Sequence, residues 1–147
     1  MFIDTSSLNH ELRAYLELFT ELLFELPIKN SRVDLTHEEA VCELNRDLLE
    51  FESSIGIHGR KFSPGIFSQY ICVTTKTPIE NYELAVKWLK YVVFDSVFSS
   101  KQIKTIVSNL LKDIKDYKQQ PKKLMRPLLN DIFFKKGEYF NFNKATI

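Results

Sequence analysis

Residues 8–26 constrain the fold most, because they predict one long helix with a broad apolar face. Apolar side chains recur there at steps of three and four, the spacing that stacks side chains on one side of a helix. They are Leu8, Leu12, Tyr15, Phe19, Leu22 and Leu26, and the face is widened by Leu16, Leu18 and Leu23. The opposite, polar side carries Arg13, Glu17, Thr20 and Glu21. We therefore expect a central core helix with one acidic strip.

Residues 28–35 are polar and turn-like and are expected to connect two helices. The segment that follows predicts a helix and then two strands. Thr36 and Glu39 form a capping box ahead of a helix over residues 37–48, because each side chain can accept a hydrogen bond from the other's backbone N–H. Residues 51–57 and 67–75 alternate in the way that strands do. We expect these two strands to pair as an antiparallel hairpin, joined by a loop that contains glycine and proline.

Three further helices are expected over residues 78–95, 99–120 and 122–135. Thr77 and Ser99 are the expected N-caps of the first two, and Pro127 interrupts the third, which Gly137 stops. Residues 1–5 are typical of the end of a strand, and residues 138–147 of a further strand or a disordered end. This order predicts an α+β fold in which helices pack on a small antiparallel sheet.

Composition indicates a folded and nearly neutral chain. The 147 residues fit one domain, and 44% hydrophobic with 13% aromatic residues exclude a disordered tail. A formal net charge of +1 predicts neither a nucleic-acid nor a membrane partner, and no apolar run reaches transmembrane length. Cys42 and Cys72 are expected to be buried thiols. Free thiols favour an intracellular location, cytoplasmic or mitochondrial.

The sequence offers several candidate chemical sites, none of which is favoured by its residues. His10, His37 and His58 lie in different segments, so no two have the spacing that aims a pair at one metal ion. Cys42 follows His37 in the same predicted helix and points in another direction, which argues against a nucleophilic pair. The segment GIHGRKFSPG lacks the order of a phosphate-binding loop and fits a hairpin loop better.

A row of basic residues is interpreted as a solvated helix face, because aspartates interrupt it and no aromatic platform accompanies it. Its members are Lys101, Lys104, Lys112, Lys115, Lys118, Lys122, Lys123 and Arg126. The second predicted strand, residues 67–75, could accept a peptide as an added strand at a free edge.

The run DTSSLNHELRAYLELFTELLFELPI resembles the first long helix of the insulinase-like (pitrilysin, or inverzincin) metallopeptidases, with the strand end that precedes it. In active members this helix carries H-x-x-E-H, in which two His bind zinc and the Glu is the general base. Aligning the family's Leu-Leu-Phe on residues 22–24 places the two His positions at Glu17 and Glu21 and the base position at Thr20.

Two further segments carry the resemblance. GRKFSPGIFSQYICVTT is similar to the family's hairpin, and IVSNLLKDIKDYKQQP resembles the helix that bears the third zinc ligand. That third position falls near Asp113, so Glu17, Glu21 and Asp113 would form an acidic remnant of the metal site. The likeness is nearest to the subgroup related to presequence proteases.

The resemblance implies that residues 1–147 form a single partial domain, a fragment from the degenerate half of such an enzyme. We expect no catalytic, cofactor-binding or metal-ligating residue in this chain, with zinc held by the active half of the family. The implied role is to supply chamber wall and contacts to a peptide substrate. The implied partners are the remaining domains of a metallopeptidase chain or a partner subunit. The alternatives are a structural or interaction module of peptidase ancestry and, less favoured, a basal proteolytic enzyme.

Overall fold

A computed structural model describes residues 1–13 and 15–133 and shows an α+β fold, which confirms the predicted class. The strands are β1 (Phe2–Asp4), β2 (Ile28–Lys29), β3 (Asp34–Leu35), β4 (Glu50–Ile57) and β5 (Ile66–Lys76). The helices are α1 (His10–Arg13), α2 (Leu16–Leu22), α3 (His37–Asp47), α4 (Tyr82–Phe94), α5 (Ser100–Lys118) and α6 (Pro121–Phe133). None of these helices, in the part of the chain described, is both long and apolar enough to cross a membrane.

Three strands form a small antiparallel sheet in the order β1-β5-β4. The β1–β5 register pairs Phe2 with Cys72 and Asp4 with Tyr70. The predicted strands over residues 51–57 and 67–75 are thus confirmed as the neighbours β4 and β5. Within residues 1–5, which were predicted to belong to a strand, Phe2–Asp4 form β1.

The chain divides into two compact units, each built from alternating segments. The first unit contains Met1, Glu21–Ser53 and Val73–Ile106. The second unit contains Phe2–Thr20, Ser54–Cys72 and the chain from Val107 onwards.

The core of the first unit lies where α3 and α4 face the short β2–β3 hairpin. Its fully buried residues are Ile28, Ala40, Leu44, Leu48, Ala85 and Trp88. The Trp88 indole N–H donates a 3.0 Å hydrogen bond to Asp47 at the end of α3, so the one polar atom of this buried ring is satisfied. Sequence reasoning assigned the β2–β3 segment to a polar connection and missed the hairpin. Asn30 forms its turn by accepting hydrogen bonds from the backbone N–H groups of Arg32 and Val33.

Helix starts were predicted with mixed success. The capping box of Thr36 and Glu39 is present and α3 begins at His37, as predicted. Thr77 was predicted to cap the next helix and does not, because a 3-10 turn over Ile79–Asn81 intervenes and α4 starts at Tyr82. The Thr77 hydroxyl is buried without a hydrogen-bond partner among the described residues.

The single long helix predicted over residues 8–26 is wrong. The chain forms the short helices α1 and α2, with Tyr15 in a turn, and the second helix ends at Leu22. Pro27 disfavours the helical conformation at Leu26, so a helix that reached residue 26 would be unfavourable at its end. Leu12 and Tyr15, expected on the core face, are 53% and 63% exposed.

The second unit includes β1, the connection between β4 and β5, and α6. Helix α6 continues through position 127, where an interruption was predicted. The predicted stop at Gly137 and the predicted strand or disordered end over residues 138–147 lie outside the described residues. Of the predicted buried thiols, Cys72 is buried and Cys42 is exposed.

Candidate functional site

The second unit holds three of the four positions that the resemblance equates with the zinc site. Glu17 and Thr20 lie on α2, and Asp113 lies on α5. Glu21 also lies on α2 but belongs to the first unit, where it is half-buried. Of these positions, Glu17 and Asp113 contact the loop of residues 58–65.

Glu17 is a structural acceptor for that loop. Its Oε1 atom accepts a 2.8 Å hydrogen bond from the backbone N–H of Phe62. Phe62 has a φ of 60°, in the left-handed region that bulky residues rarely adopt. Its side chain is 5% exposed and packs edge-on against the Tyr117 ring, with ring centroids 5.4 Å apart. Glu17 and Tyr117 thus hold an unfavourable backbone conformation in place.

Asp113 meets the same loop one residue earlier. Its Oδ2 atom lies 2.7 Å from the Lys61 ammonium, and both side chains are partly exposed. Glu17 and Asp113 consequently contact the consecutive residues Phe62 and Lys61. The two positions equated with the first and third zinc ligands converge on one loop, and the cation next to Asp113 is a lysine.

Thr20 cannot serve as a general base. It is 6% exposed, and its hydroxyl donates a 2.9 Å hydrogen bond to the Glu17 carbonyl oxygen within α2. A hydroxyl engaged in this way has neither the charge nor the proton affinity of the carboxylate that activates water at a zinc site.

The described residues at these positions do not fit a zinc ion. Within residues 1–13 and 15–133, no three His, Cys, Asp or Glu side chains converge as a metal site requires. His37 lies in the first unit, 3.4 Å from Glu25. His58 lies in the loop that follows β4. The expectation that the chain holds no cofactor stays a prediction.

A cavity of about 950 Å³ opens beside the loop of residues 58–65 in the second unit. Its walls are this loop with the adjoining ends of β4 and β5, the last turns of α5 and the first turn of α6. Sequence reasoning treated the loop as a simple connection and missed the cavity. At Gly65 the backbone of the loop passes close to β4, since a Cβ added there would lie 2.0 Å from the Ile57 carbonyl oxygen.

The loop folds back on itself through short backbone contacts. Arg60 and Ser63 exchange two backbone hydrogen bonds of 2.8 Å, and the Gly65 N–H donates to the Ile55 carbonyl oxygen at 2.8 Å. His58, like Phe62, has a positive φ, of 57°. Left-handed backbone at non-glycine residues costs energy and is often found at functional sites. These hydrogen bonds within the second unit thus fix the backbone of the loop that walls the cavity.

The cavity carries more positive than negative groups. The charged residues that line it are Arg60, Lys61, Lys122, Lys123, Asp113 and Asp116. The Lys61–Asp113 ion pair is internally neutral. Lys122 and Lys123, which the sequence analysis assigned to a solvated helix face, both line this cavity at the start of α6.

Two relatives among curated proteins are similar to this chain. An uncharacterized protein of Caenorhabditis elegans, C05D11.1, is 26% identical over 117 residues, which cover 80% of this chain and 11% of that protein. An uncharacterized protein of Schizosaccharomyces pombe, C3H1.02c, is 22% identical over 117 residues, covering 77% of this chain and 11% of that protein. The chain thus spans about one ninth of the length of each. No protein-family profile and no solved structure matches it.

Proposed function

We propose that this chain is a non-catalytic part of an insulinase-like zinc metallopeptidase, in which it supplies chamber wall and contacts to a peptide substrate. The observation that carries the proposal is the convergence of Glu17 and Asp113 on Phe62 and Lys61. The resemblance equates those two acidic positions with zinc ligands from distant parts of the chain. Their meeting on one loop is what such an ancestry would leave behind.

The same contacts explain why the site would be inactive. The Lys61 ammonium supplies the positive charge beside Asp113, and the Glu17 carboxylate is used by a backbone N–H. A catalytic zinc site needs three ligands, an open position for water and a nearby base. Thr20 supplies no base. The chemistry would therefore belong to another half of the enzyme.

The proposed partners are the other domains of a longer metallopeptidase chain, or a partner subunit. The length of the relatives supports this, since the matched region is a small part of each. Nucleic acid and membrane are not proposed as partners, in keeping with the nearly neutral formal charge of +1.

The test is to express the longest gene product that contains these residues and to measure zinc content and chelator-sensitive cleavage of a quenched fluorescent peptide. We expect cleavage, with zinc content unchanged by Glu17→Ala or Asp113→Asn. Loss of the zinc from either variant would show that this chain holds the metal, and would refute the non-catalytic role.

A structural or interaction module is the second candidate, and α6 favours it. Exposed apolar side chains recur along one side of this helix at Met125, Leu129, Ile132 and Phe133. Such a face is typical of a surface that packs against a partner. Absence of chelator-sensitive cleavage from the longest gene product, together with a stable complex in pull-down, would favour the module over the enzyme part.

A further inference from the structure

We propose that the cavity beside residues 58–65 binds an acidic segment of a peptide. The inference rests on the proposed function in taking a peptide as the ligand, and adds the charge that this peptide must carry. Its basis is a cavity of about 950 Å³ with basic side chains on two sides, one from the loop and the others from α6.

Most of the charges that remain available in the cavity are positive. Within residues 1–13 and 15–133, neither Arg60, Lys122 nor Lys123 has a carboxylate within 4.0 Å. Lys61 is already paired with Asp113. Three cations thus face a single unpaired carboxylate, Asp116, among the groups that line the cavity. This balance of charge favours the binding of an acidic ligand and disfavours the binding of a basic one.

The loop presents Arg60 from a fixed position. The two backbone hydrogen bonds between Arg60 and Ser63 close the turn, and the contacts of Lys61 and Phe62 with α5 and α2 tie the turn to the helices. A group held in place before binding loses less conformational entropy when a ligand arrives. The loop therefore acts as a preformed wall.

The size and lining favour a peptide over a phosphate ion or a nucleic acid. About 950 Å³ is near the upper end of ligand pockets, which run from roughly 300 to 1,000 Å³. Ile57, Pro64 and Ile66 give the cavity apolar wall between its charges. The Tyr117 ring, which could have stacked on a base, packs against Phe62. A chain that alternates acidic and apolar side chains matches this lining.

The experiment measures binding of the 147-residue chain to a fluorescein-labelled peptide of alternating Glu and Leu, by anisotropy. A peptide in which Lys replaces every Glu is the charge-reversed probe. We expect the acidic peptide to bind about ten-fold more tightly than the basic one, a difference of about 1.4 kcal/mol. Binding of the acidic peptide should weaken as salt rises towards about 0.15 M, because exposed charges are screened.

The decisive variant combines Arg60→Glu, Lys122→Glu and Lys123→Glu. These side chains are exposed, so the fold should be kept, which circular dichroism checks. We expect the acidic peptide to bind about ten-fold more weakly and the basic peptide to gain affinity.

The matched control combines Lys90→Glu, Lys101→Glu and Lys104→Glu, which are exposed, lie in the first unit and change the net charge equally. The control should bind as the parent chain does. Equal weakening by both triple variants would show that only the net charge matters, and would overturn the proposal.

Two further outcomes would overturn the proposal. One is equal affinity for the acidic and basic peptides. The other is tighter binding of a single-stranded oligonucleotide than of the acidic peptide, since this would assign the cavity to nucleic acid. If the acidic peptide is not preferred but the longest gene product shows chelator-sensitive cleavage, the enzyme role stands and the charge preference is refuted. If the acidic peptide is preferred but no cleavage occurs, the enzyme role is refuted and the binding site stands.

Discussion

Replacing Glu17 by alanine should lower the free energy of unfolding by about 2 kcal/mol, because a hydrogen bond to a charged group contributes roughly 1.5–3 kcal/mol net. The lost bond runs 2.8 Å from the Phe62 backbone N–H to the Glu17 carboxylate. Phe62 is 5% exposed, so water has poor access to replace the missing acceptor. The released N–H would be left unsatisfied inside the second unit.

The conservative variant Glu17→Gln separates charge from geometry. Glutamine keeps an oxygen at nearly the same position, and a neutral hydrogen bond is worth about half of a charge-assisted one. We therefore expect Glu17→Gln to cost about 1 kcal/mol, between the parent chain and Glu17→Ala. The bond also offsets the left-handed conformation of Phe62, which for an L-residue costs about 1–2 kcal/mol.

Urea unfolding and thermal melting, each followed by circular dichroism, measure both variants. The melting temperature of Glu17→Ala should fall by about 4–8 °C, since 1 kcal/mol shifts a chain of this size by about 2–4 °C. Glu52→Ala is the matched control, because Glu52 is exposed on β4. Equal stability of Glu17→Ala and the control would refute the reasoning and return Glu17 to the solvated strip that its helical spacing predicts.

Other predictions concern acid, the loop, metal and association. The hydrogen bonds from Arg46 and Trp88 lower the pKa of Asp47 below its ordinary value of 3.8. Ionised Asp47 therefore stabilises the folded chain above about pH 4, and this contribution is lost as pH falls further. Acid titration of urea midpoints should show a smaller loss in Asp47→Asn. Gly65→Ala should cost about 1–3 kcal/mol by thermal melting, because its Cβ would meet the Ile57 carbonyl oxygen. Elemental analysis after dialysis should find no stoichiometric zinc. Light scattering should show self-association, driven by the exposed apolar side of α6.

Local patterns predicted the fold well wherever neighbouring residues decide it. The Thr36 and Glu39 cap fixed the start of α3, and alternation located β4 and β5, because both signals depend on residues within a few positions. The long apolar segment at residues 8–26 failed for the opposite reason. Tertiary packing buries Leu16 and Leu23 and exposes Leu12. Periodicity alone does not show which apolar side chains tertiary packing will bury and which it will leave exposed.

The candidate site was predictable only as a set of positions. Glu17 and Asp113 came from the resemblance, and their meeting at Phe62 and Lys61 depends on contacts across 45 residues and more of sequence. The cavity likewise depends on residues that are distant in sequence, since its cations come from the loop and from the start of α6. No spacing rule joins Arg60 to Lys122, and from the sequence these residues belong to a hairpin loop and to a separate basic row.

The two units are interleaved along the chain, and this governs how the protein can be made and cut. In the second unit, Phe2–Thr20 is separated from its partners from Val107 onwards by both long segments of the first unit, Glu21–Ser53 and Val73–Ile106, which are synthesised in between. Contacts over such separations are slow to form, because a large loop must close before they contribute. No single truncation point yields either unit intact. Excision would need several cuts and a new connection, whereas one nick in the loop at residues 58–65 would leave two pieces that must stay associated to preserve the second unit.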